Sequence, residues 1–354
     1  MAESKTEMAE IFERDGIVSI KKNVTMSDIA KRLHVSTVTV SKALSDKDGV
    51  SQELRTKIKQ LAQQMGYRYH TVAKAMKEGI TYNIGIVVIE RFFNFTNSFY
   101  LNMYQQMIKH LTRHKYYGIL EIISLEMEEN LQLPNMLQDS KVDGLIALGQ
   151  LHGNYMQKLK DTGIPLIMLD FYDKNIDADS ITSDNFYGSY MVTNYLIENG
   201  HRDIAYVGDI YATSSILDRY LGYMKALLES RLELRPDWVI KDRDAQGWIG
   251  DITLPKEMPT AFVCNCDQTA YQLVNVLLAQ GWKVPDDISV VGFDNYMYAT
   301  LTVPHLTTVE VETEEMVCTA VEAMVRKIRE PGYRLGRKVI GGRLIVRDSV
   351  RKRE

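Results

Sequence analysis

Apolar positions along the chain follow two rhythms that change over at Gly79. Before it, three short stretches carry apolar residues at helical spacing. Ile29, Ala30 and Leu33 supply the inward face of a first helix, Val40, Ala43 and Leu44 that of a second, and Leu54, Ile58, Leu61 and Met65 that of a third. Each has a start signal: Thr25 with Asp28 three residues on reads as a capping box, and Ser36 and Ser51 read as N-caps. Gly66 is placed to end the third helix. Only His34 and Val35 join the first two, and so tight a turn calls for a left-handed backbone, which His tolerates better than most residues.

After Gly79, apolar runs of strand length alternate with amphipathic stretches of helix length. The runs are Ile84–Ile89, Tyr117–Ile123, Val142–Leu148, Pro165–Asp170, Ile204–Gly208, Ala261–Cys266 and Ile288–Phe293. The helical stretches are Tyr100–His114, Tyr155–Asp161, Tyr187–Asn199, Ile216–Ser230 and Ala270–Gln280. This alternation predicts parallel sheets with helices on both faces, an α/β architecture. About 270 residues of it exceed one open sheet of common size, so two lobes with a cleft between them are expected. We place lobe 1 at about 81–183 and 307–330, and lobe 2 at about 184–306 and 331–354. Ligands in such folds sit beyond the carboxyl ends of the strands.

Composition narrows this little. The chain has 354 residues, 45% hydrophobic and 25% charged, as in ordinary globular proteins. No apolar run approaches 18 residues, and residues 1–24 form a polar extension without the apolar centre of a signal peptide, so a cytoplasmic location is expected. The spacing of Cys264, Cys266 and Cys318 fits neither a metal site nor a redox pair, and they read as buried free thiols. Charge changes the picture more. Residues 25–79 carry ten bases and five acids, about +5, which leaves about −9 for the rest of a chain of net charge −4. A small basic head on an acidic body suits a protein that touches phosphates with one end only.

The stretch from Val24 to Leu44, with Val50–Ile58 and Met65-Gly66-Tyr67, resembles the head of the lactose-repressor and galactose-repressor family of bacterial regulators. The resemblance implies a helix-turn-helix DNA-binding domain at 25–66, followed by a hinge helix or linker at 67–80. Residues of the second helix then face bases in the major groove: Thr37 and Val38, with Lys42 close by. Thr25, Ser36, Thr39 and Ser41 are better suited to phosphates. The family's hinge helix pushes an apolar side chain into the minor groove. Val72 and Ala73 match its pattern, whereas Lys74 and Met76 stand where Arg and Leu are usual, which makes Met76 the expected wedge.

The body resembles the family's periplasmic-binding-protein-like core from about Ile84 to Val350. The likeness is carried in order by Asn97–Tyr100, Val142–Ile146, Asp184-Asn185 with Gly188, Gly200–Gly208, Val284–Asn295 and Leu306–Thr308. Arg219 and Gly222 match the family's Arg-x-x-Gly, whose Arg holds effector oxygens through its planar fork. Asp294 matches the acidic effector ligand; Asp170 and Phe99 are further candidates. The resemblance implies a homodimer on a pseudo-palindromic operator, with a small-molecule effector between the lobes. Carbohydrate is the favoured effector class; nucleobases and a phosphorylated carrier protein stay open. There is no Gly-x-Gly-x-x-Gly and no Ser/His/Asp arrangement at a nucleophile elbow, and His201 reads as a fold residue. Neither catalysis, a cofactor nor a metal is expected.

Overall fold

The computed structural model describes residues 24–67, 79–93 and 99–354. It divides after Gly79 into two units. The expected extension at 1–24, apart from Val24, lies outside the described residues, as do the hinge residues Val72, Ala73 and Met76.

The first unit has three helices, α1 (Met26–Leu33), α2 (Thr37–Leu44) and α3 (Gln52–Gln64). The Thr25 hydroxyl accepts from the Asp28 N–H while the Asp28 carboxylate accepts from the Thr25 N–H, closing the capping box. Ser36 and Ser51 cap α2 and α3. His34 sits at φ 53°, the left-handed conformation that the short turn demands. Ile29, Ala30, Val40, Ala43, Ile58 and Ala62 form the buried centre. Arg55 of α3 secures the loop after α2, donating to the carbonyl of Lys47 at 2.7 Å and to Asp46 at 3.2 Å.

The second unit holds two parallel sheets. The first has β1 (Asn83–Ile89), β2 (Tyr117–Ile123), β3 (Gly144–Leu148), β4 (Leu166–Leu169) and β5 (Asp179–Ser183), with Arg337–Ile340 (β11) on the far edge; their spatial order is β2-β1-β3-β4-β5-β11. The second has β6 (Ile204–Val207), β7 (Val239–Ile240), β8 (Ala261–Cys264) and β9 (Ser289–Val291), ordered β7-β6-β8-β9. Thr308–Glu310 (β10) pairs antiparallel with Arg343–Ile345 (β12), and single bridges tie its edge to the end of β9.

Around the first sheet lie α4 (Phe99–Arg113), α5 (Leu125–Glu129), α6 (Asn135–Gln138), α7 (Gly153–Lys160) and α12 (Thr313–Arg329). Around the second lie α8 (Asn185–Glu198), α9 (Ser214–Glu229), α10 (Asp267–Ala279) and α11 (Tyr298–Leu301). Strand residues alternate between faces as the pleat requires. Ile84, Ile86 and Val88 pack with Met103 and Met107 of α4 and Met316 and Val317 of α12. Val87 and Ile89 point to the opposite face, with Tyr155 and Met156 of α7.

Two expected lobe boundaries are corrected. The pattern puts residues 307–330 wholly in lobe 1, yet β10 lies beside β9 of lobe 2. The pattern puts residues 331–354 wholly in lobe 2, yet β11 extends the lobe 1 sheet, because β5 otherwise exposes an edge of unpaired backbone groups. The chain therefore crosses between lobes three times, after β5, after β10 and after β11.

The helices α8 and α9 pack unusually close. A side chain on Gly222 would collide with the carbonyl oxygen of Phe186 in α8. Gly222→Ala should therefore lower stability by about 1–3 kcal/mol through overpacking. Thermal unfolding of the full chain tests this, and an unchanged midpoint would mean that the two helices separate at no cost.

Candidate functional site

The four effector candidates, Phe99, Asp170, Arg219 and Asp294, line one cavity of about 240 Å³. It lies between the lobes, at the carboxyl ends of both sheets. From lobe 1 it takes Glu90, Arg91 and Phe92 after β1, Asp170 after β4, and Phe99 and Tyr100 of α4. From lobe 2 it takes Ser215, Ile216 and Arg219 of α9, Arg243 and Trp248 after β7, Asn265 and Cys266 after β8, and Asp294 after β9.

Arg219 is the most constrained of these residues. Its Nε donates to Asn185 Oδ1 at 2.7 Å, one terminal nitrogen donates to the Asn265 carbonyl, and the other lies 3.3 Å from Asp294 Oδ1. The guanidinium also stacks over Phe293 with its carbon 3.8 Å from the ring centroid. Burial opposes its charge, yet Asp294 and Asp170 hold its pKa above the ordinary value. Three of the fork's five N–H groups are engaged, and one on each terminal nitrogen remains for a ligand.

The two aspartates are held in left-handed backbone, Asp170 at φ 70° and Asp294 at φ 107°. Strain of this kind at strand ends accompanies functional placement. Asp170 accepts from the Tyr100 hydroxyl at 2.8 Å. Burial raises its pKa, against the lowering pull of Arg219 and of that hydrogen bond. Burial pushes Asp294 up to about 7; Arg219 lowers it and Asp170 raises it further. Phe99 meets Tyr296 edge-on across the cleft, with centroids 6.2 Å apart. The Cys266 thiol is pushed up to about 11 by burial, so it is protonated at neutral pH and a poor nucleophile.

Several lining residues escaped the sequence reading. Tyr100 adjoins Phe99 in the quoted Asn97–Tyr100 segment, and its hydroxyl anchors Asp170. Arg243 and Trp248 lie in the loop after the two-residue strand β7, where no apolar run announces a strand end. His201 is fully buried, with Nδ1 2.9 Å from the Thr260 hydroxyl and Nε2 3.0 Å from the Arg351 carbonyl, away from the cavity. Among the described residues no group of three or more His, Cys, Asp or Glu is placed to hold a metal.

In the first unit, Thr37, Val38 and Lys42 are exposed on α2, with Val38 63% accessible. Thr25 and Ser36 are exposed as well, but their hydroxyls are already engaged in caps: Thr25 donates to Asp28 at 2.7 Å, and Ser36 lies 2.8 Å from the Thr39 hydroxyl. Thr39 and Ser41 are half-buried.

Residues 25–69 match the profile described as bacterial regulatory proteins, lacI family, and residues 193–350 match that of a periplasmic binding protein-like domain. The HTH-type transcriptional repressor PurR of Histophilus somni (strain 129Pt) is 29% identical over 337 residues, covering 92% of this chain and 99% of that protein. The probable HTH-type transcriptional repressor ExuR of Bacillus subtilis (strain 168) is 29% identical over 341 residues, covering 93% and 99%. Among solved structures, the lac repressor dimer bound to operator and the anti-inducer ONPF superposes with a TM-score of 0.78 at 20% identity, covering 93% of this chain and 100% of that one. The complex of the regulator CelR with cellobiose gives 0.66 at 24% identity, covering 92% and 100%.

Asp294 generates a pH dependence. Its pKa in the folded chain is raised from 3.8 to about 7, so between those values the folded state holds a proton that the unfolded state has released. Stability then falls as pH rises through that window and levels off above it. Thermal midpoints measured across the window should decline more steeply for the natural chain than for Asp294→Asn. Parallel profiles would show that Asp294 does not titrate there.

Proposed function

Because the chain belongs to the lacI family of bacterial regulatory proteins and is a DNA-binding transcriptional repressor, we propose that it acts as a homodimer on a pseudo-palindromic operator, and that a small polyhydroxylated ligand, a carbohydrate, bound between the lobes sets its affinity for DNA. The observation that carries the ligand half is the cavity itself. Its floor presents a buried arginine with two N–H groups to spare, its strand ends present two strained carboxylates, and Phe99 and Trp248 offer aromatic faces. Asn265 adds a buried amide oxygen with no hydrogen-bond partner. Vicinal hydroxyls both donate and accept, so they satisfy such a mixture, whereas a purely apolar ligand would leave it unmet. Among the described residues the lining has no nucleophile poised beside a base, so ligand binding without turnover is the reading it supports.

For the DNA half, the exposed N-terminal part of α2 carries Thr37 and Val38, side chains suited to a thymine methyl, and Lys42, which suits guanine acceptors. Thr25, Ser36, Thr39 and Ser41 are assigned to phosphates, and Val72, Ala73 and Met76 to the minor groove. Among the described residues no helix is long and apolar enough to cross a membrane, and we place the protein in the cytoplasm with its DNA. Ligand and operator then influence each other's binding reciprocally.

Operator sequences selected from random DNA by the full-length protein should be two-fold related. Lys42→Ala or Val38→Ser should weaken discrimination at particular base pairs by about 1–3 kcal/mol each. Met76→Ala should weaken operator binding more than about twofold if this side chain wedges open a base step; a smaller change would remove it from the interface. A thermal-shift panel of mono- and disaccharides, sugar phosphates and nucleobases should yield a ligand that adds about 2.7 kcal/mol at a hundred times its dissociation constant. Folded Arg219→Ala and Asp294→Ala should lose that shift. A nucleobase as sole hit would replace the carbohydrate assignment, and no hit would leave a protein corepressor as the effector.

A further inference from the structure

Among the described residues, most charged groups around the cleft have a close partner. Arg91 lies 3.0 Å from Glu128, Arg219 pairs with Asp294, Asp170 takes the Tyr100 hydroxyl, and Glu90 accepts from the Leu125 N–H at 2.9 Å. Arg243 is the least well matched of these: its ion pair with Asp242 is long, 3.6 Å, and is not a hydrogen bond. Its side chain is nine-tenths buried, and its Nε has no hydrogen-bond partner. The nearest carboxylate, Asp242, is fully buried, and both its oxygens already accept from other donors. Asp242 Oδ1 accepts from the Asp209 N–H at 2.9 Å, while Oδ2 accepts from Asn265 at 2.6 Å and from the Thr269 hydroxyl at 2.7 Å. The other contact of the Arg243 fork is a long 3.4 Å approach to the Gly247 carbonyl.

A buried guanidinium short of acceptors is costly unless something completes it. Its position says what can. Arg243 lines the cavity of Arg219 and Asp294, and also a second, larger cavity of about 660 Å³ between the lobes. It is held there by a turn in which the Asp244 carboxylate accepts from the Gln246 and Trp248 N–H groups at 3.0 and 2.9 Å. Trp248, 42% exposed, lines the first cavity from the same turn.

We propose that Arg243 is a specificity residue for an oxyanion on the ligand, so that the effector is an acidic sugar rather than a neutral one. This inference rests on the reading of the cleft as a polyhydroxylated-ligand site. The carboxylate or phosphate of the ligand completes the Arg243 fork, and its hydroxyls engage Arg219, Asp294 and Asp170. A planar fork takes two oxygens of either anion at once, which a neutral hydroxyl cannot reproduce.

The test measures binding of D-glucuronate, D-galacturonate, glucose 6-phosphate, D-glucose and D-galactose to the full-length protein by calorimetry, with natural Arg243 and with Arg243→Met and Arg243→Lys. At least one acid should bind about tenfold or more tightly than its neutral parent, a charge-assisted pair being worth at least that factor. Arg243→Met should erase the preference, and Arg243→Lys should restore part of it. Tight binding by uronates but not by glucose 6-phosphate would identify the anion as carboxylate, and the reverse as phosphate. Neutral parents binding as well as the acids, or a preference that survives Arg243→Met, would overturn this proposal while leaving the carbohydrate reading intact. Binding by none of the five would overturn both.

Discussion

A guanidinium buried between helices and strand ends needs acceptors close by, and Arg219 draws three of them from the lobe around it. Its three partners come from separate parts of the chain: Asn185 opens α8, Asn265 follows β8 and Asp294 follows β9. Losing any one would leave a buried charge incompletely satisfied, an error of several kcal/mol. The arginine thus fixes two strand ends and one helix start against α9. The close approach of α8 and α9 at Gly222, one turn further along α9, lets this happen without a gap. All the direct partners belong to lobe 2; lobe 1 reaches Arg219 through the field of Asp170. One half of the cavity is therefore organised before any ligand arrives, and the other half supplies the opposing wall.

The head was almost wholly legible, because its determinants are local. A capping box, two serine caps, a histidine that accepts φ 53° and apolar residues at helical spacing lie within a few residues of what they organise. Of the buried positions described in the head, only Ala62 went unremarked, since an alanine is a weak apolar signal. The central strands were legible for the same reason: strands buried on both faces are continuous apolar runs. What escaped was at the margins. Asp179–Ser183 is fully buried yet reads as polar, because the Lys327 ammonium and the Leu335 and Gly336 N–H groups satisfy the Asp179 carboxylate. Arg337–Ile340 shows a single buried residue, so edge pairing and not burial makes it a strand. The helix Thr313–Arg329 was missed although Met316, Val317, Ala320, Val321 and Met324 mark one face of it.

Within the cleft, residues that end a long apolar run were visible and those that do not were hidden. Asp170 and Asp294 close such runs, and Arg219 sits in a recognisable motif. Arg243 follows a strand of two residues and shows its character only in space, through an Nε without an acceptor and an aspartate that other donors already engage. Hydrogen-bond demand of that sort is a balance over several distant segments, and no local pattern encodes it.

The three crossings between lobes carry a consequence for the order in which the chain can be completed during synthesis. The continuous middle segment, from α8 to β10, emerges before the last strand and helix of the first sheet exist. Until Arg337–Ile340 has been made, β5 presents a bare edge, and until α12 has been made, the face that includes Ile167 and Ile181 lacks its cover. The first lobe therefore stays unfinished while the second is nearly complete, and closing it depends on residues 313–340. A truncation that removes residues 313–340 would injure the lobe that begins the sensor, not only the one that follows it, and would leave an exposed apolar sheet of the sort that chaperones hold and proteases remove.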